Sequence, residues 1–385
     1  NEAPRALGDI TSGEIVGEMS LFSGEERSAD ILAVRDSYVV EFSKESFEKI
    51  AEKYPAVLMR VSEIVIKRLR NAQETNAKAG RLSVITLIGI TNGVMVSEFA
   101  KRLTDAFASM ATVFYINKEK AKKILGAPGI GDTAPGEPLE IRLDTWLDDQ
   151  EERYDFVFYQ CEDSQTQWTQ QCVRRADRIL FIGHTSEAPD LKDFEARLCD
   201  ITTVRKDLAL VHSGECAVPV NTMAWLEKRQ IQQHYHIRWN VNQDFLSLAR
   251  FMTGNAVGLV ISGGGIRAAA GIGAFRALQE AGIEIDAVGG NSGGSVVAAG
   301  IALGWNNKKT VEVLSSSMRL YPKARTWPIL SLHTGKHVTK LLKDRLGEHT
   351  AENTWMPFFC VTTNVSRAAV DRIRTWNLWR WLLCG

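Results

Sequence analysis

Apolar and polar positions fall into three successive patterns along the chain. In residues 1–75, short apolar runs (Ile31-Leu32-Ala33-Val34, then Tyr38-Val39-Val40-Glu41-Phe42) are separated by polar turns. Ser43 then opens a helical pattern through Phe47 and Ile50. Pro55 breaks that helix, and Val57, Val61, Ile64, Val65 and Leu69 line one face of the next. Residues 75–81 are polar and read as a linker. Across 82–253, apolar runs at 84–88, 112–116, 156–159, 179–182 and 208–211 alternate with amphipathic stretches. That rhythm predicts a doubly wound α/β sheet. In residues 254–385, Leu259-Val260-Ile261 leads into Gly263-Gly264-Gly265-Ile266-Arg267, and residues 285–288 lead into Gly290-Asn291-Ser292-Gly293-Gly294. Between them, Ile272, Phe275 and Leu278 recur at helical spacing as far as Gly282. The unit therefore reads strand, turn, helix, strand, turn, helix, with both glycine turns at one end of a parallel sheet.

A chain of 385 residues is too long for one core and suggests two or three domains. Its 45% hydrophobic and 24% charged residues describe an ordinary globular chain. Lys+Arg and Asp+Glu number 46 each, so no bulk charge draws it to nucleic acid or an anionic surface. Cys161, Cys172, Cys199, Cys216, Cys360 and Cys384 show neither paired spacing nor a zinc motif, which fits a reducing compartment. No apolar run reaches the roughly 18 residues of a membrane span, and the first residues do not form a signal peptide. The chain starts at Asn1 inside an ongoing strand-and-turn pattern, so it reads as a piece of something longer.

The chemistry lies in the glycine turns. Ser292 is the centre of G-x-S-x-G, flanked by Gly290 and Gly294, where a sharp strand-to-helix turn lifts a serine hydroxyl clear of the backbone. It is the candidate nucleophile. The amides of Gly263, Gly264 and Gly265, unobstructed by side chains, can converge as an oxyanion hole, while Arg267 either braces the loop or attracts a phosphate-bearing substrate. Near the start, Gly17 and Glu18, followed by Arg27 and Ser28, have the spacing to hold a cyclic phosphodiester. The turn at residues 89–97 falls where a nucleotide-binding fold places its phosphate loop, yet it lacks the second glycine and the Lys-Ser/Thr pair. An ATPase of that type is excluded, and residues 126–138 are an excursion loop. Trp168 and Cys172 face inward on a helix, and His234 and His236, two apart as in a strand, are read as packing residues with no third metal ligand.

The G-G-G-x-R turn followed by the G-x-S-x-G elbow resembles the patatin-like phospholipases. Residues 17–28 resemble the phosphate-binding cassette of cyclic-nucleotide-binding domains, with Val16 where that family usually has Phe. The order of the three units, and Pro357-Phe358-Phe359-Cys360-Val361-Thr362-Thr363-Asn364, resemble the neuropathy-target-esterase branch. The resemblance implies a fold of a partial cyclic-nucleotide β-roll (1–75), a degenerate nucleotide-fold α/β domain (82–253) and the N-terminal part of a three-layer α/β/α domain (254–385). It implies a serine lipid acyl hydrolase with a Ser–Asp dyad and a phospholipid or lysophospholipid substrate. It also implies no cofactor, a cyclic nucleotide as the one regulator suggested, and a cytoplasmic setting with peripheral membrane contact. The family's Asp-Gly-Gly or Asp-Gly-Ala motif is not found: after Ser292 the aspartates are Asp344, on a charged helix face, and Asp371, without a following glycine. These 385 residues alone are therefore expected to be nearly inactive. His333, His337 and His349 carry no motif and read as structural or surface residues, and Ala268 stands where many relatives have glycine. The aromatic run 376–383 reads as a core helix or as a membrane-interface segment. The alternative function is a cyclic-nucleotide sensor on a non-catalytic patatin-like scaffold.

Overall fold

The computed structural model describes residues 15–17, 30–33, 39–58, 61, 84–201, 204–214, 218–320, 336–364 and 366–384. In the first unit, α1 (Lys44–Lys53) starts where Ser43 accepts a hydrogen bond from the Ser46 N–H, satisfying one of the unpaired amides of a first helical turn. Of the runs expected as strands at 31–34 and 38–42, the parts that are described, 31–33 and 39–42, form no ladder among the described residues. Leu32, Val39 and Val40 are exposed there, because apolar alternation makes a strand only where a partner supplies hydrogen bonds.

The second unit alternates β1 (Val84–Gly89), α2 (Val96–Phe107), β2 (Val113–Asn117), α3 (Lys118–Leu125), α4 (Pro138–Arg153), β3 (Phe156–Gln160), α5 (Gln167–Arg175), β4 (Arg178–His184), α6 (Asp193–Ile201), β5 (Arg205–His212), α7 (Thr222–Leu226), β6 (Gln233–Arg238) and α8 (Asn242–Thr253). The strands form a parallel sheet in the order β2-β3-β1-β4-β5-β6. Period-two alternation divides each buried strand between two cores. Ile85, Leu87, Phe156, Phe158, Leu180 and Ile182 join Phe99, Phe107, Phe245 and Leu248 on the α2/α8 face. Val84, Ile88, Val157, Tyr159, Ile179 and Phe181 meet Leu147, Trp168, Cys172 and Trp225 on the other. Trp168 and Cys172 are buried, as the helical spacing implies.

The third unit comprises β7 (Gly258–Ile261), a 3-10 turn (Gly265–Ala269), α9 (Ala270–Glu280), β8 (Ala287–Gly290), α10 (Gly293–Ala302), α11 (Asn307–Leu320), α12 (Lys336–Leu346), β9 (Phe358–Asn364), β10 (Ala369–Ile373) and α13 (Leu378–Cys384). Its sheet runs β10-β9-β8-β7, parallel throughout except for the antiparallel pair of β9 and β10. Val296, Val297, Ala298 and Ala299 of α10 are buried with Leu314, Leu342, Leu346, Leu378 and Leu382. The aromatic run at 376–383 thus contributes a packed helix to this core, although Trp376 stays exposed. The helix expected between the glycine turns is present as α9, preceded by the 3-10 turn, and of its three apolar markers only Ile272 is fully buried.

The second and third units touch at two places. Arg250 of α8 holds Asp286, just before β8, with Nε–Oδ2 and Nη2–Oδ1 distances of 2.8 and 2.6 Å. His234 and His236 of β6 both reach the Glu352 carbonyl.

Candidate active site

β8 ends at Gly290 and α10 starts at Gly293, leaving Asn291 and Ser292 to make the whole reversal. Ser292 has φ 48° and ψ −131°, a backbone conformation that a residue with a Cβ adopts only under strain. Its neighbours hold it there. The Asn291 N–H donates to the Ile261 carbonyl at 3.3 Å, and the Ser295 N–H and hydroxyl donate to the Ser292 carbonyl at 3.0 and 2.6 Å. The side chain of Ser292 is left exposed at the C-terminal end of the parallel strands.

The elbow must be glycine-rich because backbone meets backbone. A Cβ on Gly294 would lie 2.1 Å from the Ile261 carbonyl oxygen, one on Gly290 2.6 Å from the same atom, and one on Gly293 2.5 Å from the Gly265 carbonyl oxygen. These contacts bring the first glycine turn against the second. A Cβ on Gly263 would sit 3.0 Å from Ser292 Cβ, so the two turns share one small volume. Gly264 and Gly265 have φ of 129° and 60°, values that glycine adopts without cost. The three glycine amides are not equivalent: Gly263 N–H donates to Asn291 Oδ1 at 2.7 Å. The amides beside Ser292 without that commitment belong to Gly264 and Gly265. Arg267 is exposed in the 3-10 turn, and its own N–H donates to the Gly264 carbonyl at 3.3 Å. Asn291 carried no signal beyond being a polar residue inside the elbow, yet it fixes the first glycine turn relative to the second.

Neither downstream aspartate is positioned as a general base by any contact to Ser292. Asp344 is exposed on α12 in a surface hollow shared with Lys336, Lys340 and Lys343. Asp371, on the edge strand β10, accepts from Asn364 Nδ2 at 3.0 Å. Buried Asp286 is engaged by Arg250 and by the Val257 N–H at 3.0 Å. His337 is exposed and His349 half-buried; His333 lies outside the described residues.

With this geometry in view, comparison with known proteins is informative. Residues 259–384 match the family described as patatin-like phospholipase, and residues 81–249 match the P-loop-like domain of the Neuropathy Target Esterase family. Residues 1–54 match the cyclic nucleotide-binding domain. Together these matches support a patatin-like phospholipase of the neuropathy-target-esterase branch. It is 30% identical over 433 residues to Neuropathy target esterase sws of Drosophila grimshawi, covering 99% of this chain and 29% of that protein. To the proteins of the same name from Drosophila virilis and Drosophila melanogaster it is 30% and 29% identical, covering 98% of this chain and 28% and 29% of theirs. The chain thus spans under a third of the length of these relatives. A plasmid partition protein from Borrelia burgdorferi overlays at a TM-score of 0.32 with 12% identity, covering 44% of this chain and 99% of that one.

In this chain the cyclic-nucleotide cassette is only partly visible. Gly17 has φ 81°, a glycine conformation, while Glu18, Arg27 and Ser28 lie outside the described residues. The P-loop-like domain presents its β1–α2 turn to a residue that the sequence did not single out. The Glu187 carboxylate accepts from the Asn92 and Gly93 N–H groups at 3.0 and 2.5 Å, and Lys192 Nζ donates to Asn92 Oδ1 at 3.0 Å. Those two amide bonds hold the Glu187 pKa below the usual carboxylate value. A carboxylate of the chain itself therefore occupies amides that in a working phosphate loop would face a phosphate.

Among the described residues, no group of three or more His, Cys, Asp or Glu side chains is arranged to hold a metal ion, and no helix is long and apolar enough to cross a membrane. Cys161, Cys172 and Cys360 are buried.

Proposed function

We propose that the protein is a serine acyl hydrolase acting on phospholipid or lysophospholipid esters, with Ser292 as nucleophile. The observation that carries this reading is the strained Ser292 backbone, φ 48° and ψ −131°, at an exposed position. A scaffold that no longer needed a projecting hydroxyl would relax by placing glycine there. In this reading Ser292 Oγ forms a bond to the ester carbonyl carbon as its proton passes to a carboxylate base. The oxyanion is held by the Gly264 and Gly265 amides, with Gly263 and Asn291 fixing the loop. Expulsion of the alcohol, which takes up that proton, leaves an acyl-serine that water then cleaves. One such amide donor lowers the barrier by about 3–4 kcal/mol. Arg267, exposed beside the loop, is suited to a phosphate headgroup. The base belongs outside these 385 residues, which span under a third of the relatives' length, so the unextended chain turns over slowly.

In the same reading the units are taken as 1–75, 82–253 and 254–385, with peripheral membrane contact in the cytoplasm and no cofactor. Gly17, Glu18, Arg27 and Ser28 form the cyclic-nucleotide cassette. The test is a fluorophosphonate label applied to a longer protein containing this chain. Labelling that disappears in Ser292→Ala supports the reading, and its absence from Ser292 overturns it. Turnover of lysophosphatidylcholine should be far lower for residues 1–385 than for the longer protein; equal rates would remove the external base.

A further inference from the structure

Two histidines of the P-loop-like domain meet one carbonyl of the patatin-like domain, and a third stands behind them. His234 and His236, on one face of β6, both place Nε2 near the Glu352 carbonyl oxygen, at 3.1 and 2.9 Å. His212 Nε2 lies 3.0 Å from His236 Nδ1, and His212 Nδ1 lies 3.3 Å from Thr185 Oγ1. A carbonyl can only accept, so both strand histidines carry their proton on Nε2. His236 Nδ1 is then an acceptor, which makes His212 Nε2 the donor. Three neutral rings satisfy the contacts among themselves and with Glu352, while the Thr185 hydroxyl, which also reaches the Val211 carbonyl at 3.1 Å, has one proton for its two acceptors. Trp355 closes the cluster, edge-on to His212 at 5.0 Å between ring centroids, and the Thr222 N–H donates to Asn353 Oδ1 at 3.1 Å.

The charges around the cluster mostly disfavour an added proton, although Asp244 favours one on His212. Arg238 stacks over Trp355 at 4.9 Å, and Arg374 bears on His234 with the same sign. Asp244 is held by Arg238 Nε and Nη2 at 2.8 and 2.7 Å, and the Glu352 carboxylate accepts from the Trp376 N–H at 2.7 Å. His184, near His212, adds no negative charge. Burial holds His212 and His234 down at about 4 and pushes His236 well below its ordinary value.

The clamped segment leads into the catalytic sheet. The Ala351 N–H donates to the Trp376 carbonyl at 3.0 Å, the Leu378 N–H to the His349 carbonyl at 3.0 Å, and the Val288 N–H to the Pro357 carbonyl at 3.0 Å. Immediately beyond, β9 pairs with β8, setting Cys360 opposite Gly290 at the base of the elbow.

We propose that His212, His234 and His236 form a protonation-sensitive latch, closed when all three are neutral, through which the P-loop-like domain positions residues 349–357 and hence β9 beside the elbow strand. The latch does not depend on Ser292 being the nucleophile. Rings that resist protonation when closed and accept it when released favour the open state as pH falls from about 6.5 towards 4. One ring contributes up to about tenfold per pH unit in that window.

Hydrogen–deuterium exchange of the full 385-residue chain, corrected for intrinsic exchange, tests this. Protection of residues 349–357 should fall at least tenfold between pH 6.5 and 5 while that of β1 is unchanged. In His234→Gln/His236→Gln, which keeps a donor towards Glu352 but leaves only His212 to titrate, the fall should shrink to what that one ring contributes. Constant protection in the unsubstituted chain, or an equal fall in the double variant, overturns the latch. If the double variant does not fold, ring NMR titration of the unsubstituted chain decides. His234 and His236 must charge together with the loss of protection, whereas rings that charge near 6.5 with the loop still protected refute the proposal.

Discussion

Replacing Ser292 by glycine rather than alanine separates the elbow's strain from its chemistry. Both substitutions remove the hydroxyl, but only alanine keeps the Cβ that makes φ 48° and ψ −131° unfavourable. Strain of this kind costs roughly 1–3 kcal/mol, and glycine removes it. Glycine also gives the unfolded chain more freedom, which costs about 0.4–1 kcal/mol. The net expectation is that Ser292→Gly is more stable than Ser292→Ala by about 1 kcal/mol, close to a fivefold change in the local opening equilibrium. Cys360 is a suitable reporter, since it is fully buried and its strand position faces Gly290. Thiol labelling at rising urea concentration, read peptide by peptide by mass spectrometry, gives the opening free energy at that site. Both variants should lose fluorophosphonate labelling alike. If Ser292→Gly opens as readily as Ser292→Ala or more so, the elbow is not strained, and the main support for a catalytic serine falls with it.

Two further expectations follow from the same geometry. Gly294→Ala should destabilise the patatin-like domain by more than about 3 kcal/mol, because its Cβ would lie 2.1 Å from the Ile261 carbonyl oxygen with only backbone to yield. Gly273→Ala, on α9 with nothing within 4 Å, should instead stabilise by roughly 0.5–1 kcal/mol, and chemical denaturation of the two variants checks both signs. Glu187 has its pKa lowered by the Asn92 and Gly93 amides, so its contribution is present above the ordinary carboxylate range and is lost as pH falls through the lowered value. Protection at Asn92 and Gly93, corrected for intrinsic exchange, should therefore be present at pH 6 and fall in strong acid, whereas Glu187→Gln should be weakly protected at both; equal protection of the two chains at pH 6 would show that the carboxylate does not hold the turn.

Much of this was legible in the sequence because it depended on local pattern. Apolar runs at 84–88, 156–159 and 179–182 became central strands buried on both faces, where unbroken hydrophobicity is the signal. The glycines of both turns were legible because close backbone approach allows nothing larger. Long-range partnership was not. Glu187 lies 94 positions from Gly93, and Glu352 lies 116 from His236, and no periodicity marks a residue whose partner is that distant. Residues 39–42 alternate like a strand yet carry no ladder among the described residues, since alternation records a preference and pairing needs a partner. Asn291 was missed for a different reason: its role is to accept the Gly263 amide, a matter of side-chain direction rather than of residue type.

The two α/β units use the same architectural position in different ways. In the P-loop-like domain the first strand-to-helix turn has lost its lysine and taken Glu187 from the neighbouring loop, so its amides stabilise the chain itself. In the patatin-like domain the corresponding turn packs Gly263 and Gly265 against the elbow beside an exposed Ser292, while the Gly263 N–H is tied to Asn291. A strained serine persists only where its surroundings over-determine it. Here the surroundings are the Ile261 carbonyl against Gly290 and Gly294, the Gly265 carbonyl against Gly293, and Ser295 on the Ser292 carbonyl. Each of those restraints depends on β7, β8 and β9 remaining in register. The P-loop-like domain grips that sheet at Asp286, ahead of β8, through Arg250, and at Glu352, ahead of β9, through the histidines. A domain whose own phosphate turn is filled by its own carboxylate thereby acquires a mechanical use: it holds the entry points of two strands on which the elbow's strain rests.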